Sequence, residues 1–264
     1  MTAGKREKQK VAVVIPAHDE ARTIATTVRS CRALPGVDLL IVVDDGSGDN
    51  TGDYARSSGA VVVRHSIPRG KASALETGVK VAAMRDLPEG KPRHLLFLDA
   101  DLGESAVEAT SLIENVQLGV ADCAVATLPP QKGAGGHGFV VNFARRAIER
   151  ATGWRQQAPL SGQRCLTREA VNAAMPFATG WGVEVGMTID LLVQGFTFQE
   201  VPCNFSHRPT GNDLAGYLHR GNQYKDVWAA VMRRRLTGRK VPRNARPKTA
   251  TTAGAPYRIA YDKK

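Results

Sequence analysis

The chain has 264 residues, of which 42% are hydrophobic and 23% are charged. That length is sufficient for one large α/β domain or two small ones with a sizeable core. No apolar run approaches the roughly 20 residues that a membrane-spanning helix requires, so we expect a protein that does not cross a bilayer by itself.

The formal net charge of +11 is concentrated at the two ends of the chain. Residues 233–264 hold 11 Lys or Arg against one acidic residue, and residues 1–10 hold four against one. Residues 11–232 hold 21 Lys or Arg and 23 Asp or Glu, so the body of the protein is close to neutral. A nucleic-acid-binding protein needs a basic face with aromatic side chains that stack on bases. The charge distribution therefore argues against a specific nucleic-acid partner.

The cysteines are widely spaced and include no C-x-x-C pair. They are Cys31, Cys123, Cys165 and Cys203. No secretory leader precedes them, so reduced thiols and a cytoplasmic location are expected.

Four short apolar runs predict buried strands in the first half of the chain. Each run is apolar at every position, as expected for strands of a parallel sheet that is covered on both faces. The runs are Val11–Ile15, Leu39–Val43, Val61–Val63 and Leu95–Leu98. Helices are predicted between them over residues 20–33, 50–58 and 72–84. This alternation predicts a doubly wound, mostly parallel α/β sheet flanked by helices.

The pattern changes at about residue 129. Residues 129–138 form a glycine-rich stretch, which is interpreted either as a mobile lid or acceptor loop or as a plain surface loop. Helices are predicted over residues 139–151 and 183–194, and a strand over residues 196–205. Beyond residue 235 the sequence is rich in Arg, Lys, Pro, Thr and Ala with little apolar content. Residues 236–264 are therefore predicted to be a disordered basic tail.

Polar clusters follow three of the predicted strands. They are residues 16–20, 44–47 and 99–101. Ligands of doubly wound sheets bind at the carboxyl ends of strands, so these clusters form a candidate site. Asp99 and Asp101 bring the carboxylate oxygens that Mg²⁺ and Mn²⁺ prefer, which would hold a metal against a diphosphate. The alternative is that Asp101 only caps a helix that begins near Glu104.

Four motifs, taken in this order, resemble the nucleotide-sugar half of family 2 glycosyltransferases with the GT-A fold. They are Pro16-Ala17-His18-Asp19-Glu20, Asp44-Asp45-Gly46-Ser47, Arg69-Gly70-Lys71 and Asp99-Ala100-Asp101. The resemblance covers roughly residues 10–210 and implies a UDP-sugar donor, UDP-glucose, with a bound Mg²⁺ or Mn²⁺. The implied donor-binding residues are Pro16, Ala17, Glu20, Asp45, Gly70, Lys71 and Asp99. Asp19 departs from the family, which usually has Asn at this position.

The second half resembles the acceptor half of glucosyl-3-phosphoglycerate synthases, which are retaining enzymes. The motifs that carry this resemblance are residues 159–164, 176–178, 180–186 and 207–208. It implies that His207 completes a metal site with Asp101 and Asp99. From the expected chemistry we further predict that Lys71 assists the departing diphosphate and that Glu184 orients the sugar or acceptor hydroxyl. The alternative for Glu184 is a carboxylate that only stabilises the start of a helix through the helix dipole. The implied acceptor-binding residues are Gly162, Arg164 and Arg208.

One departure from that group leaves the acceptor open. Its members grip the acceptor phosphate with a Gly-Gly-Arg-x-Thr-like loop, whereas this chain has Gly-Gly-His-Gly-Phe over residues 135–139. Residues 195–208 also resemble the closing segment of polyprenyl-phosphate hexosyltransferases, whose acceptor is a lipid phosphate. No Glu-Asp pair occurs between Gly153 and Arg168, which fits either a retaining enzyme or an acceptor phosphate that is already a nucleophile.

These resemblances predict a metal-dependent hexosyltransferase with a phosphorylated small-molecule or lipid-phosphate acceptor. Its single domain would span residues 11–235, with a nucleotide-sugar half over 11–128 and an acceptor half over 129–235, after a basic extension over 1–10. The basic tail is interpreted either as a solubilising segment or as a tether to an anionic membrane surface. A homodimer is left open. A basic nucleic-acid-binding protein is the remote alternative, and a nucleotidyltransferase is disfavoured because no G-x-x-x-R signature follows the first strand.

Overall fold

The computed structural model describes residues 9–128, 138–206, 214–247 and 254–261, with the backbone alone for residues 214–222. The strands are β1 Val11–Ala17, β2 Val37–Asp44, β3 Val61–Arg64, β4 His94–Phe97, β5 Cys123–Thr127, β6 Arg164–Leu166 and β7 Phe198–Pro202. The helices are α1 Ile24–Arg32, α2 Thr51–Ser57, α3 Lys71–Met84, α4 Thr110–Gln117, α5 Gly138–Thr152, α6 Arg168–Ala174, α7 Val183–Val193 and α8 Leu214–Leu236. Short 3₁₀ helices cover Gly103–Ala109, Gly180–Gly182 and Arg243–Ala245.

The strands form one sheet in the order β3-β2-β1-β4-β6-β5-β7. Strands β3, β2, β1 and β4 are parallel, and β5 and β7 are parallel to each other. Strand β6 is antiparallel to both of its neighbours, β4 and β5. The mostly parallel sheet predicted from the apolar runs is confirmed, and the order of β2, β1 and β4 makes their carboxyl ends adjacent.

Two hydrophobic clusters cover the two faces of the sheet. Along β1, Val11, Val13 and Ile15 pack into the cluster that includes α1 and α4. Ala12 and Val14 pack into the other cluster, which includes α3, α5 and α7. This alternation follows from the two-residue period of a strand, and burial on both faces explains why the run is apolar at every position.

Helix α3 approaches the sheet closely at Gly78. Gly78 of α3 lies directly on β1, because a Cβ atom added to it would fall 2.2 Å from Cγ1 of Val14. Only a glycine permits that approach of helix to strand. The contact fixes α3, and with it Lys71 at its first turn, over the carboxyl end of β1.

Part of the C-terminal region is folded onto the domain. Val241, Tyr257 and Ile259 are no more than 5% exposed. Tyr257 pairs with Phe198 of β7 through backbone hydrogen bonds and stacks on Trp154 at 5.6 Å between ring centroids. The prediction of a disordered tail over 236–264 is therefore wrong for residues 236–247 and 254–261. The reason is that a few apolar side chains in this polar sequence are buried against the domain, and Tyr257 pairs with the edge strand β7. Residues 248–253 and 262–264, like 1–8, lie outside the described residues.

The other predicted elements differ from the structure mainly at their ends. Helix α1 begins at Ile24 rather than at residue 20, because Glu20 and Thr23 form a turn before it. The strand predicted over 196–205 is shortened to Phe198–Pro202. The glycine-rich stretch 129–138 lies outside the described residues except for Gly138. Among the helices that the structure describes, none combines the length and the apolar character needed to span a bilayer.

The four cysteines are buried and unpaired, as expected for reduced thiols. Burial raises the pKa of Cys31 and the pKa of Cys123 to about 12. Thiols in this environment remain protonated at neutral pH and are poor nucleophiles. The cysteines therefore belong to the core rather than to a reactive site.

Candidate functional site

The polar clusters that follow β1, β2 and β4 meet at one edge of the sheet. The backbone amide of Asp45 donates a hydrogen bond to the carbonyl oxygen of Ala17 at 2.8 Å, which joins the ends of β1 and β2. The amide of Leu98 donates to the carbonyl oxygen of Val14 at 3.2 Å, which joins β1 and the end of β4. The structure therefore brings together the predicted donor-binding segments at residues 16–20, 44–47 and 99–101.

The turn after β1 is held by backbone and side-chain hydrogen bonds to the loop after β2. Asp19 has a φ of 55°, a conformation that Asp and Asn tolerate better than most residues. Its Oδ1 accepts from the amide of Gly48 at 2.7 Å, and its own amide donates to Oγ of Ser47 at 3.1 Å. Asp19 thus shapes the turn, which explains how it can stand where the family that the motifs resemble usually has Asn. Glu20 is fixed next to it, since its amide donates to Oγ1 of Thr51 at 2.8 Å.

The Asp45 carboxylate is held by groups of the segment 65–70. Its Oδ1 accepts from the amide of Arg69 at 2.8 Å and lies 2.7 Å from Nδ1 of His65, and its Oδ2 accepts from the amide of Gly70 at 2.7 Å. Burial would raise the pKa of Asp45, but the hydrogen bonds from Arg69, His65 and Gly70 outweigh it and lower that pKa below its ordinary value. The side chain is 9% exposed. Asp45 therefore positions the segment 65–70 from beneath.

Gly70 connects that segment to helix α3. Its φ of 86° lies in the left-handed region, where glycine carries no steric penalty. Helix α3 begins at the next residue, Lys71. The interaction of Asp45 with the Gly70 amide thus sets the place from which the Lys71 side chain extends.

The Lys71 ammonium lies between two carboxylates. Its Nζ is 2.8 Å from Oδ1 of Asp99 and 3.0 Å from Oε1 of Glu184. Glu184 belongs to the first turn of α7 and is 5% exposed. Burial opposes the charged form of Lys71, but the charges of Asp99 and Glu184 outweigh it and raise the pKa of Lys71 above its ordinary value. The structure therefore keeps one positive charge at the end of β4, in contact with both halves of the domain.

The turn before β6 supports this cluster from the other side. Nε2 of Gln163 donates to Oδ2 of Asp99 at 2.5 Å, and Gln163 is 1% exposed. A Cβ atom added to Gly162 would lie 2.5 Å from Nζ of Lys71 and 3.1 Å from Oδ1 of Asp99. Gly162 is thus part of the wall around Lys71, and its lack of a side chain leaves room for the ammonium.

Asp101 follows in a turn that is clamped from helix α1. The hydroxyl of Thr27 donates to the carbonyl oxygen of Ala100 at 2.9 Å and accepts from the amide of Gly103 at 2.9 Å. The 3₁₀ helix begins at Gly103 with Leu102 in the preceding position. Asp101 therefore does not occupy the position of a cap residue, and the capping interpretation is not supported.

The side chains at this edge include hard oxygen ligands of the kind that a divalent cation prefers. Within the described parts of the chain no group of three or more His, Cys, Asp or Glu could hold a metal ion. Asp99 is engaged by Lys71 and Gln163, whereas the half-buried Asp101 is a hard oxygen ligand at the same edge. Mg²⁺ is usually held by one or two carboxylates together with substrate phosphates and water. The arrangement fits a metal that is shared between protein and diphosphate. The third implied ligand, His207, lies outside the described residues.

The other two predicted acceptor residues are Arg164 and Arg208. Arg164 is 1% exposed; its Nε donates to the carbonyl oxygen of Ser161 at 2.8 Å and its Nη1 to Oγ1 of Thr188 at 2.9 Å. Burial lowers its pKa. The prediction that Arg164 meets the acceptor is therefore wrong for this structure, since its guanidinium is inside the domain and braces the turn before β6 against α7. Arg208 lies outside the described residues.

Two supporting residues were not predicted from the sequence. Gln163 holds Asp99, and His65 links Asp45 to α3 because its Nε2 lies 3.0 Å from Oγ1 of Thr77. Gln163 directly follows Gly162 in the motif at residues 159–164, and this position was the only signal in the sequence for its role. His65 follows β3 without any motif, so only the three-dimensional structure identifies its role.

Comparisons with known proteins point to one family. The model of the family described as Glycosyl transferase family 2 matches residues 12–179. Glycosyltransferase AglJ of Haloferax volcanii is 28% identical over 207 residues, which cover 77% of this chain and 65% of that protein. Glucosyl-3-phosphoglycerate synthase of Mycobacterium tuberculosis is 31% identical over 218 residues, covering 72% of this chain and 64% of that protein. Including an uncharacterized protein of Methanocaldococcus jannaschii, the chain spans between 36% and 65% of the length of these relatives.

Solved structures of the mycobacterial synthase have a similar fold. Its complex with Mn²⁺, uridine-diphosphate-glucose and phosphoglyceric acid has a TM-score of 0.69 at 27% identity, covering 92% of this chain and 84% of that one. Its complex with Mg²⁺ and uridine-diphosphate has a TM-score of 0.69 at 25% identity, covering 96% and 87%. The GT-A architecture predicted from the sequence is therefore confirmed.

Proposed function

The chain belongs to glycosyl transferase family 2, and from this premise we propose that it transfers a hexose from a nucleotide sugar, UDP-glucose, to an anionic acceptor. The donor would bind at the carboxyl ends of β1, β2 and β4. Its uridine would lie against Pro16, Ala17, Glu20 and the loop that Asp45 positions. Relatives of similar fold that bind uridine-diphosphate-glucose support this choice of donor.

The observation that carries the proposal is the Lys71 ammonium between Asp99 and Glu184. A fixed positive charge at this edge is suited to a diphosphate that gains negative charge as it leaves the sugar. The raised pKa of Lys71 keeps the charge in place through the neutral and mildly alkaline range.

The transfer replaces one bond at the anomeric carbon with another. The bond between that carbon and the diphosphate oxygen breaks, and UDP departs with the electron pair. An acceptor oxygen forms the new bond; a hydroxyl acceptor gives its proton to the departing diphosphate, whereas an ionised phosphate acceptor has no proton to lose. Lys71 donates hydrogen bonds to the diphosphate, and Glu184 orients a sugar or acceptor hydroxyl by accepting one.

We also propose a resident Mg²⁺ or Mn²⁺. Asp101, His207 and Asp99 are the residues that would hold it, and when bound it would neutralise charge on the diphosphate. Complexes of the mycobacterial synthase, which has a similar fold, contain Mn²⁺ or Mg²⁺, and this supports the choice of these two ions. The hard carboxylate of Asp101 suits both.

The acceptor is proposed to be a phosphorylated small molecule of the phosphoglycerate kind. The bound phosphoglyceric acid of the mycobacterial relative supports this choice. A polyprenyl phosphate is the alternative, favoured by the absence of an arginine from residues 135–139. A cytoplasmic location, a homodimer and a peripheral membrane contact remain predictions.

The test is a measurement of UDP release with Mn²⁺ and UDP-glucose, with 3-phosphoglycerate in one reaction and a short polyprenyl phosphate in another. Release with the first alone supports a glucosyl-3-phosphoglycerate synthase. Release with the second alone supports the lipid-linked alternative. Absence of release in both, from a protein that is folded by circular dichroism, would contradict the proposed donor and acceptor class.

A further inference from the structure

A cleft of about 580 Å³ lies between helices α5, α7 and α8. It shares no lining residue with the site at the strand ends. Its floor is apolar, formed by Phe143 and Ala147 of α5, Ile189 of α7, and Val231 and Met232 of α8. The cleft therefore has room and lining for a hydrocarbon chain.

The rim of the cleft is basic. It consists of Arg150, Arg235, Arg239 and Lys240, and the lining contains no acidic residue. Arg239 pairs with Asp190 at 3.0 Å. In the part of the chain that the structure describes, the other three cations have no carboxylate within salt-bridge distance. Among the described residues, three positive charges beside an apolar opening thus have no carboxylate partner.

Exposed aromatic side chains extend the same face along α5 and α8. Phe139 is 70% exposed and lies 5.3 Å from the ring of Tyr224, which also contacts Phe143 at 5.2 Å. Trp228 is 47% exposed and lies one helical turn before Met232, on the same stripe of α8. Large apolar side chains beside unpaired cations are typical of surfaces that lie in the headgroup region of a bilayer.

We propose that this α5–α8 face docks on a bilayer of anionic phospholipids. Headgroup phosphates would bind at Arg150, Arg235 and Lys240, and an acyl chain would enter the apolar cleft. The occupant is identified by its complementarity to both parts of this face. A free phosphate would pair with the cations but leave the apolar floor exposed to water. An apolar protein segment would cover the floor but leave the three cations without an anionic partner. An anionic phospholipid satisfies both parts. The proposal does not depend on the proposed transfer reaction, because it is tested without donor or acceptor.

The test is co-sedimentation of the full chain with vesicles of phosphatidylglycerol and phosphatidylcholine, compared with vesicles of phosphatidylcholine alone. The protein is expected to bind only the anionic vesicles, and less at high salt. The combined variant R150Q/R235Q/K240Q removes three positive charges. Each such charge near an anionic surface contributes about a fivefold factor to the affinity, so the affinity of the variant for the anionic vesicles should fall roughly a hundredfold. Failure of the unaltered protein to bind would overturn the proposal.

A matched control removes the same charge elsewhere. The variant K248Q/K263Q/K264Q changes three lysines of the last 17 residues and should retain most of the affinity. An equal loss in both variants would show attraction by net charge alone and would contradict a defined face. In addition, tryptophan emission should shift to shorter wavelength on binding, and W228F should abolish the shift although Trp154 and Trp181 remain. Binding without that shift would contradict docking through α8.

Discussion

The Lys71 ammonium contacts carboxylates from both halves of the domain. Asp99 at the end of β4 and Glu184 at the start of α7 share its ammonium, and Gln163 holds the second oxygen of Asp99. The motifs predicted Lys71, Asp99 and Glu184 individually. Their direct contact could not be predicted, because it depends on how the turn at Gly162 brings the second half against the first.

The space at Gly162 gives a first prediction. Gly162→Ala should lower kcat/KM about tenfold or more, because the added Cβ would lie 2.5 Å from Nζ of Lys71 and displace it from Asp99. The free energy of unfolding should change by less than about 1 kcal/mol, since only the end of a side chain must move. Gly90→Ala, at an exposed loop position without positive φ, is the control. Unaltered kinetics in Gly162→Ala would show that the position of the ammonium does not matter.

Asp45 gives a prediction about pH. Its pKa is lowered in the folded protein, so its ionised form contributes stability above the unfolded pKa of about 3.9, and this contribution is lost as the pH falls through the folded value. Asp45→Asn should reduce the free energy of unfolding by about 2 kcal/mol at pH 7, because hydrogen bonds to a charged group are lost. The difference between variant and unaltered protein, measured by urea unfolding, should shrink below about pH 4. A difference that is constant with pH would contradict the role of the carboxylate.

At the scale of elements, the apolar runs predicted β1 to β4 because strands buried on both faces leave a continuous signal. Strand β6 has only three residues and begins with Arg164, so the sequence carried no comparable pattern. Helix α5 and helix α7 were predicted within one residue at each end. The C-terminal region was misjudged because Tyr257 and Ile259 are isolated in a polar sequence, and only the open edge at β7 and Trp154 makes their burial possible.

The docking of the C-terminal segment gives a third prediction. Tyr257→Ala should lower the free energy of unfolding by about 3 kcal/mol, because it removes an aromatic ring that is 2% exposed and stacked on Trp154. Tyr54→Ala is the control, since that side chain belongs to a residue that is 45% exposed. Thermal or urea unfolding of both variants distinguishes a docked segment from a free tail. Equal stability of Tyr257→Ala and the unaltered protein would contradict docking.

At the scale of the whole molecule, the neutral body and the basic ends were readable from the sequence, whereas the distribution of charge over the surface was not. Arg150 is remote in sequence from Lys240, yet both line one cleft. Deletion of residues 236–264 would not test a tether cleanly, because it would also remove the buried Val241 and Tyr257. Exchange of individual charges on the folded protein is therefore the better experiment.

The proposed function is metal-assisted transfer from UDP-glucose at the carboxyl ends of β1, β2 and β4. The most direct test is the rate of UDP release by the unaltered protein, with Mn²⁺ and after chelation, beside Asp101→Asn and the exposed control Asp53→Asn. We expect activity that is lost on chelation, reduced on the order of a hundredfold in Asp101→Asn, and unchanged in Asp53→Asn. A near-normal rate in Asp101→Asn, or full activity after chelation, would contradict metal-assisted transfer at this site.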